Sequence, residues 1–126
     1  MRLEGGPPIV AVVEDDTSML RSIQRLLTME GLAVEAYASA EAFLDRKSEA
    51  RIGCLVIDIQ LPKMSGIELQ QRLMAAQFGA SIIFMTALEH EALRQVATQL
   101  GCVAYLRKPF QPEALVAAIA DALRGR

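Results

Sequence analysis

No apolar run in this chain approaches the ~20 residues that a membrane-spanning helix requires. The opening residues, Met1-Arg2-Leu3-Glu4-Gly5-Gly6-Pro7-Pro8, lack the apolar core of a secretory signal. A soluble, cytoplasmic protein with no membrane partner is therefore expected. The formal net charge of -2 provides no basic footprint for a phosphate backbone, so direct nucleic-acid binding is not expected either. Cysteine is scarce: Cys54 and Cys102 show no metal-ligand spacing and fall among apolar residues at strand starts, as small buried hydrophobes in a reduced compartment do. The single histidine, His90, stands at the start of a helical segment and reads as a solvated helix-end residue. There is no internal repeat, no low-complexity stretch and no composition break that would mark a second domain.

The chain has 126 residues, 52% of them apolar, enough for one domain with a proper core. A flexible leader over 1–8, a domain over 9–124 and a tail over 125–126 are expected. Beyond the leader, strand and helix alternate five times, which argues for a parallel sheet covered by helices on both faces. The runs Ile9-Val10-Ala11-Val12-Val13 and Cys54-Leu55-Val56-Ile57 read as fully buried strands. Further strands are expected over Ala33 to Tyr37, Ser81 to Met85 and Cys102 to Leu106.

The first helix has Asp16 or Thr17 as its N-cap, an apolar stripe of Met19, Ile23, Leu26 and Leu27, and Gly31 as its stop. Ser39 caps the second helix; Glu41 in its first turn suits the helix dipole, and Phe43 and Leu44 are expected to point inward. The third helix follows the Leu61-Pro62-Lys63-Met64-Ser65-Gly66 loop and buries Ile67, Leu69 and Leu73. The fourth runs from about Glu89 to Leu100 and is closed by Gly101. The fifth opens with Pro112 and repeats Leu115, Val116, Ile119 and Leu123 at helical spacing.

The chemistry lies at the carboxyl ends of these strands, where open α/β sheets place their ligands. Glu14 and Asp15 follow the first strand, Asp58 the third and Thr86 the fourth, with Lys108 just beyond the fifth. Three neighbouring carboxylates stay ionised comfortably only beside a cation. An all-oxygen site with room for water suits Mg²⁺, or Mn²⁺.

The stretches Val13-Glu14-Asp15-Asp16, Asp58-Ile59-Gln60-Leu61-Pro62-Lys63-Met64-Ser65-Gly66, Met85-Thr86-Ala87 and Lys108-Pro109-Phe110 together resemble the receiver domain of two-component response regulators, from about Ile9 to Leu123. Ser39-Ala40-Glu41-Ala42-Phe43-Leu44 and Met64-Ser65-Gly66-Ile67-Glu68-Leu69 are most similar to receivers of the nitrogen-fixation-regulator type, which are joined to a DNA-binding helix-turn-helix. The resemblance implies a flavodoxin-like (βα)5 fold: a doubly wound five-stranded parallel sheet in the order 2-1-3-4-5. It implies that Asp58 is a phosphoacceptor nucleophile and that Thr86 and Lys108 bind the phosphoryl group. Asp15 and Asp58 would bind Mg²⁺ directly, Glu14 through water, and Gln60 through its backbone carbonyl, with Asp16 outside the first layer of ligands.

The same resemblance implies a switch made of Thr86 and Tyr105, carrying charge to a surface of the fourth helix, fifth strand and fifth helix. Read from the residues alone, Tyr105 is a half-buried strand residue with its hydroxyl in water. Pro109 fits a cis peptide bond as in the family, and sequence leaves the isomer open. The implied partners are a sensor histidine kinase or phosphotransfer protein, which supplies the phosphohistidine, and a downstream protein or attached effector. Leu93, Val96 and Leu106 would support a phosphorylation-dependent homodimer, and packing of the fourth helix on the core explains some of them equally well. Leu20 departs from a first-helix position that is often basic in the family, which puts kinase contacts of that helix in doubt.

Three rivals compete with this reading. A haloacid-dehalogenase-type enzyme needs a second Asp two residues after its nucleophile, and Gln60 stands there, so the chain is expected to be a signalling phosphoacceptor with only slow self-dephosphorylation. A flavodoxin-like cofactor binder would need a phosphate cradle where Glu14-Asp15-Asp16 would repel a phosphate. A pseudo-receiver, acting as a phosphorylation-independent interaction module, usually lacks the nucleophile, the lysine or the acids, all of which are present.

Overall fold

The two apolar runs form the centre of a five-stranded sheet in the computed structural model, which describes residues 7–125. Most of the expected leader, residues 1–6, and Arg126 of the expected tail lie outside the described residues. In chain order the elements are β1 (Ile9–Val13), α1 (Thr17–Met29), β2 (Val34–Tyr37), α2 (Ala40–Leu44), β3 (Ile52–Asp58), α3 (Gly66–Ala75), β4 (Ser81–Thr86), α4 (Glu91–Gln99), β5 (Ala104–Arg107) and α5 (Pro112–Arg124). The strands pair in parallel in the order β2-β1-β3-β4-β5, as expected for a doubly wound sheet. No helix among the described residues is long and apolar enough to cross a membrane.

Because side chains alternate across a strand, the buried runs of β1 and β3 serve two cores at once. Ala11, Val13, Leu55 and Ile57 join Phe43, Leu69, Leu73 and Ala97 on the face covered by α2, α3 and α4. Val10, Val12, Cys54 and Val56 join Ile23, Leu27, Leu115 and Ile119 on the face covered by α1 and α5. Each central strand is thereby gripped from both sides, and its carboxyl end is held rigidly.

Helix ends follow the expected chemistry in most places. Asp16 is the N-cap of α1, accepting from the Met19 amide, and Gly31 and Gly101, at φ 85° and 94°, end α1 and α4 in a backbone region that side chains resist. Several boundaries differ from expectation: β2 begins at Val34 instead of Ala33, β3 at Ile52 instead of Cys54, β4 ends at Thr86 instead of Met85 and α4 at Gln99 instead of Leu100, and two more shifts have a visible cause. The α4 helix begins at Glu91 instead of Glu89, because His90 has an extended backbone and is the N-cap, its Nδ1 accepting from the Leu93 amide at 3.4 Å. Strand β5 begins at Ala104 instead of Cys102, because the Cys102 amide donates to the Ala97 carbonyl and closes α4. Cys54 is buried as expected, whereas Cys102 is half-buried.

A further correction concerns Leu44, which is 40% exposed. Helix α2 has only five residues, too short to bury more than one narrow stripe, and Ala40 and Phe43 occupy it. The chain that follows is tied down by Arg46, whose Nε and terminal nitrogen donate to Glu35 Oε1 at 3.0 and 2.8 Å. Tyr37 also donates to Glu35 Oε1, at 2.6 Å. Partial burial alone would raise the Glu35 pKa, but hydrogen bonds from Ser48, Tyr37 and Arg46 outweigh it and hold the carboxyl below its ordinary value.

Glu35 therefore binds its proton less tightly in the fold than in the unfolded chain. Its contribution is complete above the ordinary glutamate value of about 4.3 and fades as pH falls through the lower value it has in the fold. Substitution Glu35→Gln is expected to cost roughly 1 kcal/mol at pH 7 and progressively less below pH ~4. Urea denaturation of both proteins across pH 3 to 7 checks this; a gap independent of pH would rule out the ionic contribution.

Candidate functional site

The register carries the strand ends to one place. Val13 pairs with Ile57, so Glu14 leaves β1 beside Asp58 at the end of β3, and Asp58 in turn pairs with Met85 next to Thr86. Glu14, Asp58 and Thr86 are buried, and Asp15 is exposed. Oxygen atoms of Glu14, Asp15 and Asp58 lie within 4.8 Å of one another. Asp16 is not in this group; its carboxylate caps α1, and its amide donates to Glu14 Oε2 at 3.0 Å.

Lys108 reaches this cluster from beyond β5. Its Nζ donates to Glu14 Oε1 at 2.6 Å and to Asp58 Oδ2 at 2.9 Å, and its backbone amide donates to the Thr86 carbonyl at 2.7 Å. The Lys108–Pro109 peptide bond is cis. Burial alone would lower the Lys108 pKa, but the hydrogen bonds and charges of Glu14 and Asp58 outweigh it and raise it. Burial also raises the Glu14 pKa, with the Asp58 charge acting in the same direction and Lys108 opposing it.

Asp58 uses its second oxygen, Oδ1, to accept from the Gln60 amide at 2.8 Å, which fixes the carboxylate plane and starts the β3–α3 loop. Gly66 seats α3 against this point: a Cβ there would lie 2.5 Å from the Asp58 carbonyl oxygen and 2.8 Å from Ile59 Cα, so only glycine fits. The Thr86 hydroxyl oxygen accepts from the Leu88 amide at 3.0 Å and so serves the turn after β4 in this conformation.

The donor set suits a hard divalent cation. All three side chains present carboxylate oxygens, and the exposed Asp15 leaves one side open to water, as Mg²⁺ requires. Glu14, Asp15 and Asp58 are the residues that could hold it.

Other singled-out residues lie apart. The Tyr105 ring is half-buried, with the Arg94 guanidinium carbon 5.8 Å from its centroid, and its hydroxyl is buried without a hydrogen-bond partner among the described residues, not solvated. Leu93 and Leu106 pack against opposite cores, which leaves Val96 as the exposed member of the proposed dimer set. Two buried or loop-bridging polar contacts escaped sequence reasoning. Gln70, fully buried on α3, donates to the Leu100 carbonyl at 3.1 Å, and Glu41 accepts from the Met64 amide at 3.2 Å. Neither carries a local sequence signal, since each partner is 23 or more residues away.

A (βα)5 sheet whose carboxyl edge joins three acids, a threonine and a lysine defines a phosphoacceptor signalling domain. Residues 10–120 match the response regulator receiver domain family, and the chain belongs to that family. It is 37% identical to the transcriptional regulatory protein FixJ of Bradyrhizobium diazoefficiens over 115 residues, covering 91% of this chain and 56% of that protein. It is 32% identical to the response regulator protein TodT of Pseudomonas putida over 116 residues, covering 92% of this chain and 51% of TodT. The chain thus spans about half the length of these curated relatives. Among solved structures it is similar to FixJ-N, with a TM-score of 0.86, 32% identity and coverage of 100% of this chain and 98% of that one. The response regulator StyR gives a TM-score of 0.87 at 39% identity, covering 94% of this chain and 60% of StyR. The pseudo-receiver reading is not favoured, because none of its usual losses has occurred.

Because the folded-state pKa of Lys108 is raised, its contribution is fully present below its ordinary value of about 10.4 and is lost only as pH rises through the folded value. At neutral pH, Lys108→Met is expected to cost about 1–3 kcal/mol in urea denaturation with chelator present. The raised Glu14 pKa limits the loss, since that carboxyl can take up a proton. Unchanged stability would mean that the two ion pairs contribute nothing net.

Proposed function

We propose that Asp58 accepts a phosphoryl group from a phosphohistidine on a sensor histidine kinase or phosphotransfer protein. The observation that carries this reading is the Lys108 ammonium held between Glu14 and Asp58 beside Asp15. An Asp58 oxygen attacks phosphorus in line; the new P–O bond makes an acyl phosphate, and the P–N bond breaks with its electron pair leaving on the partner's imidazole nitrogen. Lys108 neutralises a phosphoryl oxygen, and the Thr86 hydroxyl exchanges its Leu88 amide for a hydrogen bond to another. Asp15 and Asp58 would hold Mg²⁺ directly, Glu14 would hold it through water, and the Gln60 carbonyl would complete the protein ligands. When bound, Mg²⁺ neutralises charge that develops on the transferring group.

The donor histidine belongs to the partner, since the chain's one histidine caps α4. Loss of the phosphoryl group by hydrolysis is slow because Gln60 stands where an acid/base carboxylate would be needed. Movement of Thr86 lets Tyr105 turn inward, and the change reaches the α4–β5–α5 surface. That surface controls an effector, attached or separate, or pairs with a second copy through Val96; a transcriptional output fits the relatives named as transcriptional regulators. The domain acts in the cytoplasm.

Intact mass after incubation with acetyl phosphate and Mg²⁺ tests the reading. One phosphoryl adduct is expected on the wild type and none on Asp58→Asn or with chelator. Failure to label, together with failure to bind beryllofluoride, would sink it.

A further inference from the structure

We propose that Glu41 is a positioning residue for the cation site: its carboxylate holds the β3–α3 loop in the shape that presents the Gln60 carbonyl. The inference rests on the reading of Gln60 as a ligand given above. The loop leaving Asp58 is almost a closed ring. The Ile59 amide donates to the Met85 carbonyl and the Gly66 amide to the Ile59 carbonyl, both at 2.9 Å, while the side chains of Leu61 and Met64 are buried. Between those two anchors Lys63 adopts φ 62°, the left-handed region. For a residue with a Cβ this conformation costs roughly 1–2 kcal/mol, and it persists only where the surroundings over-determine it.

The amide directly after that strained residue belongs to Met64, and its acceptor is Glu41 Oε2, 3.2 Å away and 23 residues earlier in the chain. Among the described residues, the other hydrogen bonds of the loop run within it or to β3, β4 and α3; this one ties it to α2. That short helix is a firm base. Ser39 caps it, Ala40 and Phe43 are buried, and the Phe43 ring meets Tyr37 and Phe78 edge-on at centroid distances of 5.4 and 6.1 Å. A first-turn acid of any length would satisfy the helix dipole, whereas the observed contact is made by the terminal Oε2 of the glutamate.

Gln60 lies three residues before Lys63 on the same ring. Releasing Met64 lets the strained turn relax and moves the Gln60 carbonyl. Mg²⁺ demands near-ideal octahedral geometry, so a small displacement weakens it.

The test is an MgCl₂ titration followed by amide NMR for the wild type, Glu41→Ala and Glu41→Gln, with hydrogen exchange at Met64. Glu41→Ala is expected to weaken Mg²⁺ binding about tenfold and speed Met64 exchange, while Glu41→Gln, which keeps a carbonyl oxygen, stays within about twofold of wild type. If Glu41→Ala does not fold, Glu41→Asp, one methylene shorter, takes its place with the same expected loss. Unaltered Mg²⁺ affinity alongside faster Met64 exchange overturns the proposal and leaves a purely structural tie. A wild type that binds no Mg²⁺ overturns the reading of the site itself, and that result is distinguished by the wild type alone.

Discussion

One ammonium group makes the carboxyl edge of this sheet tenable. Glu14 and Asp58 are both buried, and burial together with the neighbouring Asp58 charge favours the protonated form of Glu14. Lys108 donates to both at once, and because it sits beyond β5 it ties the two central strands to the far edge of the sheet. The same geometry that offsets repulsion leaves the Asp15 side exposed, where the three carboxylates could hold a cation. Stability and receptivity therefore draw on the same four side chains.

The framework behind the site is mechanical. Central strands that are apolar on both faces lock the depth of Asp58, and Gly66 lets α3 press directly on the Asp58 backbone. The peripheral parts are held by polar contacts instead: Arg46 with Glu35 behind α2, Gln70 at the end of α4, and Glu41 on the β3–α3 loop. Helix α4 buries only Ala97 fully, so its seating depends more than that of α5 on such contacts and on the Arg94–Tyr105 stacking.

Much of this was legible in the sequence. Buried strands announce themselves as continuous apolar runs, which is why β1 was read to the residue, and the acids, Thr86 and Lys108 stand out because polar residues end those runs. What sequence could not supply was anything set by distant partners. Leu44 looked inward because a hydrophobic residue beside Phe43 suits a longer helix than α2 turns out to be. Cys102 looked like strand because the hydrogen bond that gives it to α4 belongs to Ala97. Glu41 looked like an ordinary first-turn acid, and its contact with Met64 depends on two elements meeting in space.

The span of the lysine's contacts has a consequence for how the chain comes into being. Lys108 lies 94 residues after Glu14 and 50 after Asp58. During synthesis, β1 and β3 emerge long before Lys108, whose side chain pairs with both acids, and a domain folds as a unit. Until that residue docks, the carboxyl edge lacks the charge that matches Glu14 and Asp58. The last strand arrives with the matching charge, so its docking is favoured electrostatically as well as by burial, and completion of the fold coincides with completion of the site.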